Sequence, residues 1–285
     1  MSIIKCWIEA MRLRTLPVSL AGVVMGTGYA VAAGQVRIAA VALCFAVALL
    51  AQIASNFANE YYDYRNGLDR KGREGPRRGV TEGDISPRAM LVATYLTLGL
   101  ACCAGLGLVA FGGWWLIAVG VAVALGVVAY SAGPYPLSHH GLGEIAVLVF
   151  FGLVPVNFTC WLASGVWNLD CFLGSVAAGL LGANVLIVNN YRDEPDDKAA
   201  GKHTLAVIVG AELMPWQYFL NAVWCVVLMR GQWSGGWLAV PAGLLAVSAV
   251  IAVRMTRLRG AKLTPLLGAT AVLMLVYCIL FAVSR

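Results

Sequence analysis

The chain has 285 residues, of which 60% are hydrophobic and only 12% are charged, with a formal net charge of +6 and a mean hydropathy of +0.80. Soluble domains carry about 25% charged residues, so this composition excludes an ordinary soluble protein and indicates an integral membrane protein. The long apolar runs lack the period-two alternation of a membrane β-barrel, which favours transmembrane helices.

Nine apolar runs are candidates for crossing the bilayer, for which about 20 residues suffice in a helix. The seventh run is the shortest of them. The chain shows no linker, so we predict one all-α, polytopic membrane domain over residues 1–285 with about nine transmembrane helices. The predicted spans are 16–33, 39–59, 89–111, 114–132, 143–163, 171–190, 215–229, 236–253 and 265–283.

The basic residues are distributed unequally between the two sides that these nine spans define. Of the 20 Lys and Arg residues, all but Arg37, Arg230 and Arg285 fall on the side of the N-terminus and loops 2–3, 4–5, 6–7 and 8–9. The positive-inside rule therefore predicts a multi-pass protein of the cell (inner) membrane with this side in the cytoplasm. Topology and an anionic ligand explain the positive charge, so no nucleic-acid partner is predicted.

The first of two acidic clusters follows the second predicted span. Asn59 and Asp63 are four residues apart, a spacing that puts both side chains on one face of a helix. Asp69 lies beyond Gly67, where we expect the helix to have ended. Carboxylates at the end of a membrane helix are energetically costly unless a cation compensates them, so this cluster is a candidate site.

The second acidic cluster follows the sixth span and has the same spacing. Asn189, Asp193 and Asp197 share one helix face if the helix continues through Pro195. Proline disfavours a helical residue before it, which alternatively predicts a break near Glu194 and puts Asp197 in the following loop. The two clusters suggest a weak internal repeat in which two halves of a helix bundle face each other across one cavity.

Carboxylate and amide oxygens are the ligands of a hard cation such as Mg²⁺, which proteins commonly hold together with substrate phosphates. Their position at helix C-termini adds the partial negative charge of the helix dipole. Basic side chains that could bind phosphate oxygens lie near both clusters. These basic residues are Arg65, Arg70, Lys71, Arg77, Arg78, Arg192, Lys198 and Lys202. The pattern therefore predicts a site for a metal–diphosphate complex.

Four local strings resemble the UbiA superfamily of intramembrane prenyltransferases, and the resemblance extends along nearly the whole chain. Within that superfamily they look most like the branch that prenylates 1,4-dihydroxy-2-naphthoate in menaquinone synthesis. The strings are Arg12-Leu13-Arg14-Thr15-Leu16-Pro17; the stretch 59–69 with Gly75-Pro76-Arg77-Arg78-Gly79; Gly133-Pro134-Tyr135-Pro136-Leu137 with Gly141-Leu142-Gly143-Glu144; and the stretch 189–193 with 201–207.

The resemblance implies a helix bundle around a central cavity that opens toward the membrane for an isoprenoid tail. It implies Mg²⁺-dependent transfer of a polyprenyl group from its diphosphate to the aromatic ring, with loss of CO₂, giving demethylmenaquinol. The implied metal ligands are Asn59, Asp63, Asp69, Asn189, Asp193 and Asp197. We predict Asp63 and Asp193 as the catalytic residues.

The predicted substrate-binding residues are Arg12, Arg65, Arg77, Arg78, Tyr130, Tyr135, His139, Arg192 and Lys202. Arg12 resembles a basic residue that faces the diphosphate in the family, and ordinary positive-inside anchoring is the alternative. His139 stands where many family members carry Lys, and a His is only partly charged near pH 7, which puts its phosphate role in doubt. The tyrosines near the clusters are candidates for stabilising an allylic cation.

Two alternatives remain open from the sequence. A secondary transporter also has polar residues and repeats within the membrane, although its polar groups are expected near the bilayer midplane on interrupted helices. A UbiA-like enzyme could act instead on 4-hydroxybenzoate, homogentisate, haem or a lipid glycerol.

Overall fold

The computed structural model describes residues 2–72 and 77–285, so Arg73, Gly75 and Pro76 lie outside the described residues. Within these ranges the regular structure is helical, which confirms the all-α fold class. The α-helices are α1 (Ile3–Ala10), α2 (Leu16–Ala32), α3 (Ile38–Arg65), α4 (Gly79–Glu82), α5 (Pro87–Gly112), α6 (Leu116–Ala129), α7 (Gly143–Val147), α8 (Val154–Ser164), α9 (Leu169–Ala199), α10 (Leu205–Val209), α11 (Met214–Leu228), α12 (Ala239–Arg257) and α13 (Thr264–Val283).

Each of the nine predicted spans coincides with a helix, but the helices differ in length. In the described part of the chain, seven helical stretches of 22 to 31 residues are long and apolar enough to cross a membrane. Helices α6 and α11 have only 14 and 15 residues. At about 1.5 Å per residue they are shorter than the roughly 30 Å hydrocarbon core. The protein is therefore a multi-pass membrane protein, and the count of nine crossings stays a prediction.

Helix α9 lies at the centre of the bundle. In α9, 72% of an apolar stretch of 18 residues is buried inside the protein, whereas the corresponding share for α5 is 17%. It packs against α2, α8, α11 and α13, and small residues make these close contacts possible. A Cβ atom added to Gly152 would lie only 2.5 Å from the Cα of Gly179, so the backbones of α9 and the segment before α8 are in direct contact there.

The segment that joins α7 to α8 is a π-helical turn, Leu148–Leu153, just before Pro155. Proline has no N–H to bond the carbonyl of Phe151, and a missing donor of this kind favours a locally widened helix. The side chains of Phe150 and Phe151 from this turn line the central cavity. The irregular turn therefore shapes one cavity wall.

Helices α3 and α9 end in the same way. Gly67 and Gly201 follow the two helices with φ angles of 69° and 75°, in the left-handed region that favours glycine. The N–H of the next residue bonds back to the carbonyl of an aspartate at 2.9 Å in each case, Leu68 to Asp63 and Lys202 to Asp197. These are Schellman motifs, and they fix how the chain reverses beside both acidic clusters.

The break considered at Pro195 is wrong, because α9 continues through it to Ala199. Asp197 consequently lies on the helix, in the stripe with Asn189 and Asp193. Pro195 removes a single hydrogen bond close to the C-terminus, and the end of the helix is held by tertiary contacts that include the ion pair between Arg70 and Asp196.

Candidate active site

The C-terminal ends of α3 and α9 face one cavity of about 820 Å³. Its polar end is lined by residues from both acidic clusters and by basic side chains from several segments. The rest of the wall is apolar and comes mainly from α3, α5, α6 and α8. The polar lining residues include Arg12, Asn59, Asp63, Arg78, Tyr130, Asn189, Arg192, Asp193, Asp197 and Lys202. The cavity thus has a charged end that continues into a long apolar groove.

Asp63 is the point at which three other parts of the chain meet α3. Its carboxylate is 1% exposed. The Lys202 amine donates to Oδ2 at 2.8 Å, and Nε2 of His139 lies 3.3 Å from Oδ1. A guanidinium nitrogen of Arg78 lies 4.0 Å from Oδ2. Such a buried carboxylate is tolerated because basic groups surround it on several sides.

Asn59 lies one helical turn before Asp63 and binds two guanidinium groups. Arg12 and Arg78 both donate to its Oδ1, the latter at 3.0 Å, while its amide nitrogen donates to the Ser131 hydroxyl at 3.1 Å. Arg12 has a φ angle of 53°, and among the described residues it is the only non-glycine residue with a positive φ. Backbone strain of this kind is concentrated at functional sites.

In the second cluster, three side chains of α9 contact one another. Arg192 forms a two-pronged pair with Asp193, from Nε to Oδ1 at 2.7 Å and from Nη2 to Oδ2 at 2.8 Å. The same Nη2 donates to Oδ1 of Asn189 at 2.8 Å. Arg192 and Asp193 are each 2% exposed. The planar guanidinium therefore holds the carboxylate and amide oxygens of this cluster in a fixed arrangement.

The sequence profile of the UbiA prenyltransferase family matches residues 19–265. The chain belongs to the UbiA prenyltransferase family. This UbiA-family protein is 37% identical to the 1,4-dihydroxy-2-naphthoate octaprenyltransferase of Mycobacterium tuberculosis over 97% of this chain and 95% of that protein. It is also 37% identical to the enzyme of the same name from Haemophilus influenzae, over 73% of this chain and 70% of that protein.

The fold of this UbiA-family protein is similar to that of solved family structures. A UbiA homologue from Archaeoglobus fulgidus, solved with GPP and Mg²⁺ bound, superposes with a TM-score of 0.70 over 98% of this chain and 99% of that chain, at 15% identity. Membership of the family makes the protein a prenyltransferase, which decides between the enzyme and the secondary transporter considered above.

The predicted site residues of this UbiA-family protein do not all reach the cavity. Asp69 does not line it but lies behind Arg78, whose Nε is 3.3 Å from its Oδ2. His139 contacts Asp63 without lining the cavity. Arg65 and Tyr135 are exposed and away from the cavity, and the Tyr135 ring stacks on His140 with the ring centres 3.7 Å apart.

Arg77 lines the cavity mouth but is exposed and forms an ion pair with Asp84. The hydrogen bond from Arg77 holds the pKa of Asp84 below its usual range. This guanidinium already has a carboxylate partner outside the two acidic clusters. Arg77 is therefore the weakest candidate for phosphate binding among the predicted basic residues that border the cavity.

The donor atoms present fit a magnesium ion shared with a diphosphate. Within residues 2–72 and 77–285, no three His, Cys, Asp or Glu side chains lie together in a way that could hold a metal. Mg²⁺ needs no such cage, since it is usually bound by one or two carboxylates plus phosphate oxygens and water. Each acidic cluster offers carboxylate and amide oxygens at the cavity, beside basic groups for the phosphates.

Sequence reasoning missed the roles of three buried polar residues in this UbiA-family protein. Ser131 accepts a hydrogen bond from Asn59, and nothing in its local sequence indicates this contact. Glu60, 1% exposed, accepts the N–H of Val80 at 3.1 Å and so anchors the segment that carries Arg78. Glu144 is a lone carboxylate in an apolar span, and that isolation was a usable signal.

Proposed function

We propose that this protein transfers a polyprenyl group from polyprenyl diphosphate to 1,4-dihydroxy-2-naphthoate in a Mg²⁺-dependent reaction that releases diphosphate and CO₂ and yields demethylmenaquinol. The observation that carries the proposal is the single cavity in which two acidic clusters and several basic side chains adjoin a long apolar groove. This combination suits a ligand with a diphosphate at one end and a hydrocarbon chain at the other.

The diphosphate binds at the polar end. Asn59, Asp63, Asn189, Asp193 and Asp197 hold the metal, and Asp69 supports this set through Arg78. When bound, Mg²⁺ neutralises charge on the diphosphate and makes it a better leaving group. The basic side chains that bind the phosphate oxygens are Arg12, Arg78, Arg192 and Lys202.

The protein's own cations also act as the prenyl C–O bond breaks. Lys202 and Arg78 lie at Asp63 before any substrate is bound, so positive charge is already in position for the leaving diphosphate. Fixed charges of this kind stabilise a transition state without reorganisation. Tyr130 lines the cavity, and of the candidate tyrosines it is the one best placed to stabilise the allylic cation with its ring.

The acceptor assignment rests on the relatives at 37% identity that are named for transfer to 1,4-dihydroxy-2-naphthoate. Their names also specify an octaprenyl donor, which is the first chain length to test. The electron-rich ring of the acceptor attacks the allylic carbon, and an apolar groove excludes the water that would otherwise capture the cation.

The proposed setting is the cell membrane, with the chain folded as one domain over residues 1–285. The unequal distribution of basic residues supports an orientation in which the N-terminus, the ends of α3 and α9 and the polar end of the cavity face the cytoplasm. Both the lipid diphosphate and the naphthoate then reach the site from the same side.

The test is a prenyl-transfer assay on membranes that contain the protein, with octaprenyl diphosphate and separate samples of 1,4-dihydroxy-2-naphthoate, 4-hydroxybenzoate and homogentisate. Mass spectrometry identifies the lipid product. We expect demethylmenaquinol from the naphthoate, with activity that EDTA removes and added Mg²⁺ restores. A prenylated product from another acceptor, and none from the naphthoate, would contradict the assignment.

A further inference from the structure

A buried pair of a carboxyl and an amide side chain lines the cavity outside the metal-binding residues proposed above. Glu144 lies on the first turn of α7 and is 8% exposed. Asn190, 6% exposed, donates from Nδ2 to its Oε1 at 2.9 Å. The other carboxyl oxygen, Oε2, is buried and has no hydrogen-bond partner among residues 2–72 and 77–285. Glu144 has no basic side chain paired with it in this part of the chain.

Burying a carboxyl oxygen without a hydrogen-bond partner is energetically costly, because the oxygen loses its bonds to water and gains none in return. The packing around Glu144 holds it in place despite this cost. A Cβ atom added to the preceding Gly143 would lie 2.9 Å from a methyl carbon of Leu186 and 3.7 Å from the Tyr130 hydroxyl. Helix α7 is therefore packed tightly on α9, and Glu144 belongs to a rigid wall of the cavity.

The chemistry of the possible ligands indicates which one meets this oxygen. A prenyl diphosphate offers phosphate oxygens, which accept hydrogen bonds, and a hydrocarbon tail, which neither donates nor accepts them. A hydroxylated aromatic acceptor offers O–H donors. Resting on the function proposed above, we propose that Glu144, oriented by Asn190, binds a hydroxyl group of the aromatic acceptor and thereby sets the position of its ring.

The location of the pair supports this subsite. Asn190 is the neighbour of Asn189, whose amide contacts Arg192 and Asp193 in the second acidic cluster. Glu144, Asn189 and Asp193 line the same cavity, so an acceptor hydroxyl held at Glu144 shares it with the diphosphate, and the ring can meet the allylic carbon there. A carboxyl oxygen that accepts the O–H also raises the electron density of the ring, which favours its attack on a cation.

The test measures the KM of each substrate in Glu144→Leu and Glu144→Gln. Leu keeps the volume and removes both oxygens, while Gln keeps an oxygen for Asn190. We expect the KM for the naphthoate to rise by roughly 10- to 100-fold in Glu144→Leu, and by less in Glu144→Gln. The KM for polyprenyl diphosphate and the Mg²⁺ concentration for half-maximal activity should stay within twofold. Glu194→Gln is the matched control, because Glu194 does not line the cavity.

A second measurement uses acceptors in which one hydroxyl is replaced by its methyl ether. The wild-type protein should disfavour the ether that lacks the hydroxyl bound by Glu144, and Glu144→Leu should lose this discrimination. An unchanged naphthoate KM and unchanged discrimination in Glu144→Leu would overturn the subsite, as would a shift in Mg²⁺ dependence, which would indicate a metal ligand. Failure of the wild-type protein to prenylate the naphthoate contradicts the proposed function instead.

Discussion

The ends of α3 and α9 look alike in sequence and end in the same glycine-dependent turn, yet they acquire their partners differently. Asp193 is held by Arg192 and Asn189, its neighbours on the same helix. Asp63 is held by Lys202, His139 and Arg78, which come from other parts of the chain. Among the described residues, the hydrogen bonds of Asp193 therefore come from its own helix, whereas those of Asp63 form only when several segments are folded together.

Removing a side chain should therefore affect the structure differently at the two clusters. Loss of a carboxylate from the α9 cluster leaves Arg192 and Asn189 close together on one helix. Loss of Asp63 removes the common partner of a loop before α7 and of the chain that follows α9. We therefore expect similar losses of activity at the two sites but unequal losses of stability.

The largest expected effect is that of Asp63→Ala compared with Asp193→Ala. Both should reduce prenyl transfer by roughly 10²- to 10³-fold, because each removes a carboxylate that would hold the Mg²⁺ needed to neutralise the leaving diphosphate. Asp63→Ala should also lower the free energy of unfolding by about 3–5 kcal/mol, since it leaves the Lys202 amine buried without its carboxylate. Asp193→Ala also leaves a buried guanidinium without its carboxylate, but it should lower the free energy of unfolding less, because Arg192 keeps its bond to Asn189 on the same helix.

Thermal unfolding in detergent measures the stability difference, and hydrogen exchange locates it. Faster exchange in Asp63→Ala should include residues 137–142 and 202–209, whereas in Asp193→Ala it should be greatest at the end of α9. Equal exchange patterns in the two variants would contradict the distinction between a local and a long-range cluster.

The next effect concerns Lys202 and its exposed counterpart Lys198. Lys202→Met removes a buried amine that lines the cavity, so kcat/KM for polyprenyl diphosphate should fall by roughly 10- to 100-fold, as expected for a charge-assisted hydrogen bond. Lys198→Met is the matched control, since Lys198 is exposed on α9 and should change kcat/KM by less than twofold. Equal losses would mean that Lys202 acts only through net charge.

The smallest expected effect is at Glu60, which acts on the site through Arg78. Glu60→Ala removes the acceptor for the Val80 N–H, so Arg78 is less well positioned and kcat/KM for the diphosphate should fall about tenfold. Glu60→Gln keeps an acceptor oxygen and should retain most activity. In an Arg78→Ala background, Glu60→Ala should cause no further loss. Additive losses in this double-mutant cycle would show that Glu60 acts independently of Arg78.

The local features of the site could be predicted from spacing. Asn59 with Asp63, and Asn189 with Asp193, are four residues apart and do share helix faces, because the helical repeat is a property of the backbone. Gly67 follows the end of α3 as expected, because glycine readily adopts the left-handed conformation that ends a helix. The sequence left open whether α9 continues through Pro195, because a proline disfavours a helical residue before it but removes only one hydrogen bond near a helix end.

The pairing of acids with bases could not be read from the sequence. The sequence shows eight basic residues near the clusters but does not indicate which of them face the cavity. The structure brings in Lys202, which is 139 residues from Asp63, and leaves Arg65 at the surface although it is only two residues away. The direction in which each side chain leaves the helix axis decides this, because Arg65 and Asp63 lie on different faces of α3.

By itself the sequence determined that this is a multi-pass helical membrane protein of the UbiA type with two acid-rich helix ends, because hydropathy, helical spacing and family motifs are all properties of short stretches. Only the tertiary structure decided that Lys202 and His139 meet Asp63 and that Glu60 holds the segment of Arg78. It also decided that Glu144 lines the cavity with a carboxyl oxygen that has no hydrogen-bond partner in the described part of the chain. The reason is physical: these contacts depend on which helices pack together, and helix packing brings together residues that are far apart in the chain.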